Sequence, residues 1–280
     1  MANLICAIDP LCELYVARIA EDAVGIKPDS VAKAIEWAIQ CDVDIISMSF
    51  VLGTNNDDVR AKVEQASSRG IIMTCSTHDE GARTRKAYPA SYRTYETCDS
   101  VIVLAACDRY GKLLREPDDE DPHYKLIGDR VPAGIMPFVK SDEHISGSSV
   151  ATALAAGLCS LILTCDRLAD PTKTYKNGSM REEKLDNGRT MSKSEDDYRL
   201  GVVKSQFFRM QAGRGSGYVD IDKFGGISEA TAGGDNAPGH SQQTGKITTP
   251  SVEDVLRKEF KMNPSITPSL SRPVPKKFHR

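Results

Sequence analysis

No C-x-x-C pair and no metal-finger spacing occurs among the eight cysteines, Cys6, Cys12, Cys41, Cys75, Cys98, Cys107, Cys159 and Cys165. Most of them sit in apolar runs, as Cys75 does in IIMTCS and Cys159 in AAGLCSLIL, so they read as small buried hydrophobes kept reduced rather than as disulfides or metal ligands. No charge of one sign dominates either: 36 Lys and Arg stand against 39 Asp and Glu, for a net charge of −3. That balance argues against nucleic acid or an anionic membrane as partner. The beginning, MANLICAIDP, lacks a basic leader, and its apolar run stops at Asp9, so no secretory signal is visible. On that reading the compartment is unknown, and cytoplasmic only if the N-terminus is genuine. The longest apolar stretch, Val150 to Leu163, is expected to be a buried helix, because a membrane span needs about 20 apolar residues.

What is present is an alternation of strand and helix signals. Leu14 to Ile19 is a short β-rich run. Ser30 to Gln40 places Val31, Ala34, Ile35, Ala38 and Ile39 on one helical face, behind the start signal Pro28-Asp29-Ser30. Ile45 to Ser49 reads as a strand and Asp57 to Arg69 as a second amphipathic helix closed by Gly70. Ile71 to Cys75 and Val101 to Ala105 are further strands. Strands joined by helices of this length make right-handed crossovers, hence a mostly parallel sheet flanked by helices. Function in such sheets gathers in the loops at the carboxyl ends of the strands, here after Ser49, Ser76 and Ala105.

Three stretches break the alternation. Leu113 to Arg130 is polar and acidic and reads as a surface insertion, its run Asp118 to Asp121 as a solvated acidic loop. Asp166 to Asp197 is a second charged connection, followed by an expected helix from about Leu200 to Met210. Gly213, Gly215 and Gly217 resemble half a phosphate loop, but no strand precedes them, and a flexible turn is the better reading. Tyr218 to Phe224 is expected to pack back on the domain. From about residue 226 the chain is rich in Gly, Ser, Thr, Pro and Gln and ends RPVPKKFHR, which reads as a disordered tail, apart from one short amphipathic helix possible at Ser251 to Phe260.

The most informative stretch is HISGSSVATALAAGLCSLILTCD, His144 to Asp166. Gly147-Ser148-Ser149 joins a polar loop to a helix that is apolar nearly all round, which must therefore be central. A serine in the first turn of such a helix meets free backbone N–H groups and the positive end of the dipole, where an oxyanion is stabilised. Spacing alone leaves open that Ser148 and Ser149 merely cap the helix.

The segment resembles the subtilase nucleophile motif G-T-S-[MV]-A-[TS]-P, with Gly147, Ser148, Ser149, Val150, Ala151 and Thr152 in register, and GSSVATALAAG is similar to a branch of subtilases common in filamentous fungi. It departs from the motif at Ser148, usually Thr, and at Ala153-Leu154, often Pro-His. The resemblance continues upstream in the family's order. LYVARI is similar to a strand of the family. VAKAIEWAIQCDVDIISMSF resembles its helix and V-I-N-M-S-L-G strand. SSRGIIMTCSTHDEG resembles the strand leading to G-N-S-G, and YPASY the Y-P-A-x-Y motif. The family implies a subtilisin-like α/β fold and serine-type hydrolysis of a polypeptide substrate, with no cofactor and no metal; the oligomeric state is not implied. Ser149 would be the nucleophile, Asp79 would stand at the oxyanion-hole position, and Ser49, Phe50 and Val51 would flank the substrate backbone.

Two departures bear on activity. The family has Asn where Asp79 stands, and losing one oxyanion donor costs about 2.7–4 kcal/mol of transition-state stabilisation, although a protonated carboxyl still donates. Phe50-Val51 and His78 should also crowd the pocket before the scissile bond. Neither D-[ST]-G nor H-G-T-x-[MVF]-A, the family's motifs for the orienting Asp and the basic His, occurs in the sequence. Met1-Ala2 matches the end of the His motif, so the expectation is a chain corresponding to the C-terminal part of the family domain. Residues 1–225 would form that domain, with insertions near 113–130 and 166–199 and a tail over 226–280. None of His78, His123, His144, His240 and His279 falls at the base position. The chain alone is therefore expected to be inactive, and a non-catalytic protein that binds extended peptides is the alternative. A small-molecule α/β-hydrolase is disfavoured, because Gly147-Ser148-Ser149-Val150-Ala151 fails G-x-S-x-G. For the sheet, the expectation is that Ile45–Ser49 pairs with Ile71–Cys75 while Leu14–Ile19 fails to join, its family neighbour being absent.

Overall fold

The computed structural model describes residues 1–21, 25–77, 86–115, 122–134, 143–170, 180–184 and 190–224. The chain divides into two units, Met1–Leu163 with Tyr175–Asp220, and Thr164–Thr174 with Ile221–Arg280. The second unit lies mostly outside the described residues, as do the acidic run 118–121 and the whole of 225–280.

The elements begin with a short helix α1 (Ala2–Ile8), then α2 (Pro28–Gln40), strand β1 (Ile45–Met48), α3 (Asp57–Ser67), β2 (Ile72–Ser76), two single-turn 3-10 segments (Ala90–Thr94 and Glu96–Cys98) and β3 (Val101–Cys107). Local chemistry sets the helix starts. Pro28 opens α2 where its missing N–H costs nothing, and the Asn56 side chain accepts the Val59 N–H at 2.9 Å to cap α3. Gly70, at φ 65°, turns the chain out of α3 and into β2.

Strands β1, β2 and β3 pair in parallel, with Ile45 opposite Ile72 and Met73 opposite Val101. The period of two along the strands divides their side chains between two faces. Met48, Met73, Cys75, Val101 and Val103 pack with Val31, Ile35 and Ile39 of α2 and Val59 and Val63 of α3. Ile72, Thr74, Ile102 and Leu104 fall on the opposite face, also fully buried. A sheet apolar on both faces needs cover on both, and that is why the strand sequences read as unbroken apolar runs.

The fourth strand was not expected. Segment 113–130, read as a surface insertion, contains β4 (Tyr124–Ile127), which extends the sheet in parallel to β3 with Leu104 opposite Tyr124 and buries Leu126 completely. The far edge of β4 is covered in turn, because Lys125 N–H donates to Gly217 O at 2.7 Å and Val219 N–H to Lys125 O at 2.9 Å. That contact carries the expected return of the chain from Tyr218, and the Gly213–Gly217 segment is a turn, with Gly215 and Gly217 at positive φ.

Leu14–Ile19 forms no strand among the described residues. Its composition favours β structure, but it pairs with nothing along the outer side of β1. Leu14, Tyr15 and Val16 remain exposed, and Tyr15 leans on Trp37 of α2 with ring centroids 6.1 Å apart. The four-stranded order β1-β2-β3-β4 therefore ends at β1, as expected for a sheet that this run does not join.

After β4 come the small strands β5 (Val131–Pro132) and β6 (His144–Ile145), then the long helix α4 (Ser148–Ala169). At 22 residues α4 outruns the apolar stretch read from the sequence and is long and apolar enough to cross a membrane by length and composition, correcting the expectation that it was too short. Its residues from Val150 to Leu163 are nevertheless largely buried, as in a core helix. A hairpin of β7 (Met180–Lys184) and β8 (Thr190–Ser194) lies within the second charged connection and leads into α5 (Glu195–Arg209). Helix α5 begins some five residues earlier than its apolar pattern suggests. The buried Arg199 fixes it, donating to Asp44 at 3.1 Å and to Arg69 O at 3.0 Å.

One ring in this frame titrates against folding. His123 Nδ1 accepts the Val103 N–H at 3.1 Å, and burial, then Arg93, then Lys204, hold the imidazole down to about 4. The unfolded ring titrates near about 6.5. The folded state therefore binds fewer protons between those values, and the His123 contribution is complete above pH ~6.5 and lost as pH falls towards 4. His123 is nevertheless exposed by surface area, so solvent screens the ring and limits the effect to at most about 1 kcal/mol. Denaturant midpoints measured at neutral pH and near pH 4.5 should differ by that amount more in the parent than in His123→Gln.

Candidate functional site

The carboxyl ends of β1, β2 and β4 converge on the amino end of α4, and each fastens it by one hydrogen bond. Ser49, one residue past β1, donates from Oγ to the Ser149 carbonyl at 3.3 Å. Thr77, one residue past β2, accepts the Ser148 Oγ–H on its carbonyl at 2.9 Å. Gly128, one residue past β4, accepts the Gly147 N–H at 2.8 Å, while its own N–H donates to Cys107 O at 2.9 Å. Segments distant in sequence thus meet at one rim of the sheet, the rim at which parallel α/β sheets bind ligands.

Gly147 makes the turn into the helix at φ 132°, a conformation that other residues reach only with strain, and its carbonyl accepts the Val150 N–H at 3.0 Å. The two serines then divide. Ser148 is buried, its hydroxyl spent on Thr77, whereas Ser149 is partly exposed. The N–H of Ser149 lies in the first helical turn, where amides have no intrahelical acceptor and the dipole is positive. A hydroxyl and an amide donor are therefore presented side by side at an open surface, the pair a nucleophile and an oxyanion need.

The neighbouring wall is Ser49, Phe50 and Val51, each partly exposed. It is held by a reciprocal main-chain pair between Leu52 and Tyr88, with N–H to O distances of 2.8 and 3.1 Å. The Y-P-A-x-Y segment reinforces it, since Tyr92 Oη donates to Asn56 O at 2.8 Å and accepts the Asn56 N–H at 3.2 Å. Asp79 and His78 lie outside the described residues. His144 is exposed on β6 and His123 is engaged with Val103; among the described residues no hydrogen bond links either ring to Ser149. Nor does any group of three His, Cys, Asp or Glu side chains there suit a metal ion.

Sequence reasoning missed Gly128. A Cβ there would stand 2.7 Å from Ala106 Cβ and 2.9 Å from Gly147 O, so the residue before the serines rests directly on a bare backbone. Its one signal was its place in YKLIGDR, at the end of a strand that went unrecognised. Gly128→Ala should push Gly147 and the first turn of α4 outward and cost about 1–3 kcal/mol of stability. Urea denaturation checks the cost, and amide shifts confined to residues near 147–150 check the displacement.

A depression of about 500 Å³ is lined by Glu64, Glu96, Asp99, Ser100 and Leu200 among others. It lies at the amino ends of β2 and β3, the rim opposite Ser149, and plays no part in this site.

Known proteins are similar to much of this chain. The subtilase family model matches residues 8–131. A halolysin-like extracellular serine protease, Nep, of Natrialba magadii is 27% identical over 199 residues, covering 70% of this chain and 34% of the relative. A subtilisin of Bacillus pumilus is 24% identical over 202 residues, covering 71% of this chain and 68% of the relative. The matched part of the chain thus spans from 34% to 68% of the length of these relatives. Among solved structures, the self-cleaved protease domain of PatA superposes with a TM-score of 0.55 at 14% identity, covering 91% of this chain and 77% of that one, a likeness of fold. The motifs in their order, the parallel sheet and these matches together make the chain similar to the subtilisin-like serine proteases of the subtilase family, whose model it matches over residues 8–131.

Proposed function

We propose that this chain carries the nucleophile half of a serine-type endopeptidase site, with Ser149 attacking a peptide carbonyl. The observation that supports the reading is the convergence of Ser49, Thr77 and Gly128 on the first turn of α4, which holds the partly exposed Ser149 beside Ser49, with Phe50 and Val51, also partly exposed, next in the chain. An extended polypeptide substrate would lie along that wall, and Asp79 would face the developing oxyanion. As an ionised carboxylate Asp79 would repel it, and as a protonated one it would donate.

A serine hydroxyl is a weak nucleophile without a base that an acid orients. The H-G-T and D-[ST]-G motifs do not occur in this sequence, so the chain alone should not hydrolyse peptides at a measurable rate. The same absence favours a second reading, a pseudoprotease that uses the segment Ser49 to Val51 for binding extended peptides by strand addition. The experiment fuses a family segment bearing both motifs ahead of Met1 and assays a fluorogenic peptide library. Hydrolysis by the fusion and none by the chain supports the proposal. Equal hydrolysis by both shows a base within this sequence and overturns the inactivity. A folded fusion that binds peptides without cleaving them favours the pseudoprotease. In an active fusion, Asp79→Asn should raise turnover if an ionised carboxylate obstructs the oxyanion.

A further inference from the structure

All eight cysteines carry free thiols, and four of them, Cys6, Cys12, Cys41 and Cys165, are only partly buried, unlike the small core residues expected from sequence. Two of these stand together. The sulfurs of Cys6, in the last turns of α1, and Cys12, in the loop that follows, are 4.0 Å apart. Bonded sulfurs lie about 2.05 Å apart, so the pair must close by about 2 Å, which side-chain rotation can supply when the backbone already brings the residues together.

The backbone between them is firmly built. Asp9 is fully buried; its carboxylate accepts the Leu11 N–H at 3.0 Å and the Ser160 Oγ–H at 2.6 Å, and its carbonyl accepts the Cys12 N–H at 3.3 Å. Ser160 belongs to α4, and so does Gly157, where a Cβ would stand 2.9 Å from both Ile5 O and Ile8 Cβ. Helix α1 therefore sits directly on α4, and the turn holding the two thiols is pinned to α4 through Asp9.

We propose that Cys6 and Cys12 are an oxidation site that closes to an intrachain disulfide and locks α1 to the turn that Asp9 pins on the helix carrying Ser149. The oxidant is a small-molecule disulfide such as oxidised glutathione. The Cys6 thiolate attacks one of its sulfurs and expels one glutathione thiolate. Cys12 then gives up its proton and attacks the Cys6 sulfur of the mixed disulfide, expelling the second. Two protein thiols are oxidised, one disulfide is reduced to two glutathiones, and the protons pass to the leaving thiolates. Burial, then the neighbouring Cys6, push the Cys12 thiol up to about 12, so loss of its proton limits the second, intramolecular step. The inference rests on the packing of α1 against α4 and not on the catalytic reading of Ser149.

The test treats the folded 280-residue chain with oxidised glutathione. Cleavage before Asp9 by endoproteinase Asp-N then separates Cys6 from Cys12 onto different peptides. Recovery of those two peptides joined, a protein lighter by two hydrogens, and a melting temperature raised by about 5 °C and restored by dithiothreitol are the expected results. Cys12→Ser should instead retain a glutathione adduct on Cys6. Stable adducts on both thiols of the parent, a link to Cys41 or Cys165 in place of this one, or a Cys6–Cys12 link that leaves the melting temperature unchanged would each overturn the proposal.

Discussion

Replacing Ser149 by alanine in the complemented chain should lower turnover by about 10⁶-fold, the effect of removing the nucleophile from a catalytic serine triad. Ser148→Ala, one residue away, should lower it by no more than about tenfold. The difference follows from how the two hydroxyls are used. That of Ser148 is buried and donates to Thr77 O at 2.9 Å, so its removal forfeits one hydrogen bond worth about 1 kcal/mol and leaves the Thr77 carbonyl without that partner. Ser149 is partly exposed, with its amide in the first turn of α4. Peptide hydrolysis by the two variants, measured against the parent fusion, separates a nucleophile from a helix cap. Comparable losses in both would mean that the two serines share a structural role.

The second large effect concerns the far side of the sheet. Phe207→Ala should destabilise the chain by about 3–5 kcal/mol, a substantial part of the roughly 5–15 kcal/mol that holds a domain folded. Phe207 is completely buried and meets Tyr124 of β4 edge-on, with ring centroids 5.0 Å apart and planes at 84°. Its ring therefore ties α5 to the strand whose end, Gly128, supports Gly147. The adjacent Phe208 is 59% exposed, and Phe208→Ala should change stability by less than about 0.5 kcal/mol. Denaturant unfolding of the two variants checks the contrast, and a similar midpoint for both would show that α5 does not carry this edge of the sheet.

Strands β1, β2 and β3 were legible because each is a short apolar run, β1 and β2 each following a helix with a clear face. Their bounds moved by only a residue or two. Strand β4 was hidden: YKLI is four residues long, alternates polar with apolar and sits between an acidic run and a turn, so composition spoke for a loop. Pairing with β3 and cover from Gly217 and Val219 overrode that local signal. The reverse happened at Leu14–Ile19, where β-favouring residues have no neighbouring strand and stay outside the sheet. At the site, Ser149 and the wall Ser49 to Val51 were visible through motifs, and the structure brings Ser49 to Ser149. The supports were not visible, because Ser148 and Gly128 act through main-chain contacts 71 residues and one strand away, which no spacing reports.

The most direct measurement is the site of covalent attachment of a fluorophosphonate, a reagent that reacts with activated serines. In the complemented chain, mass mapping should place the adduct on Ser149 alone, and the unsupplemented chain should remain unlabelled over the same time. An adduct on Ser148 or another serine, or equal labelling with and without the added segment, would contradict the assignment of Ser149 as a nucleophile that awaits its base.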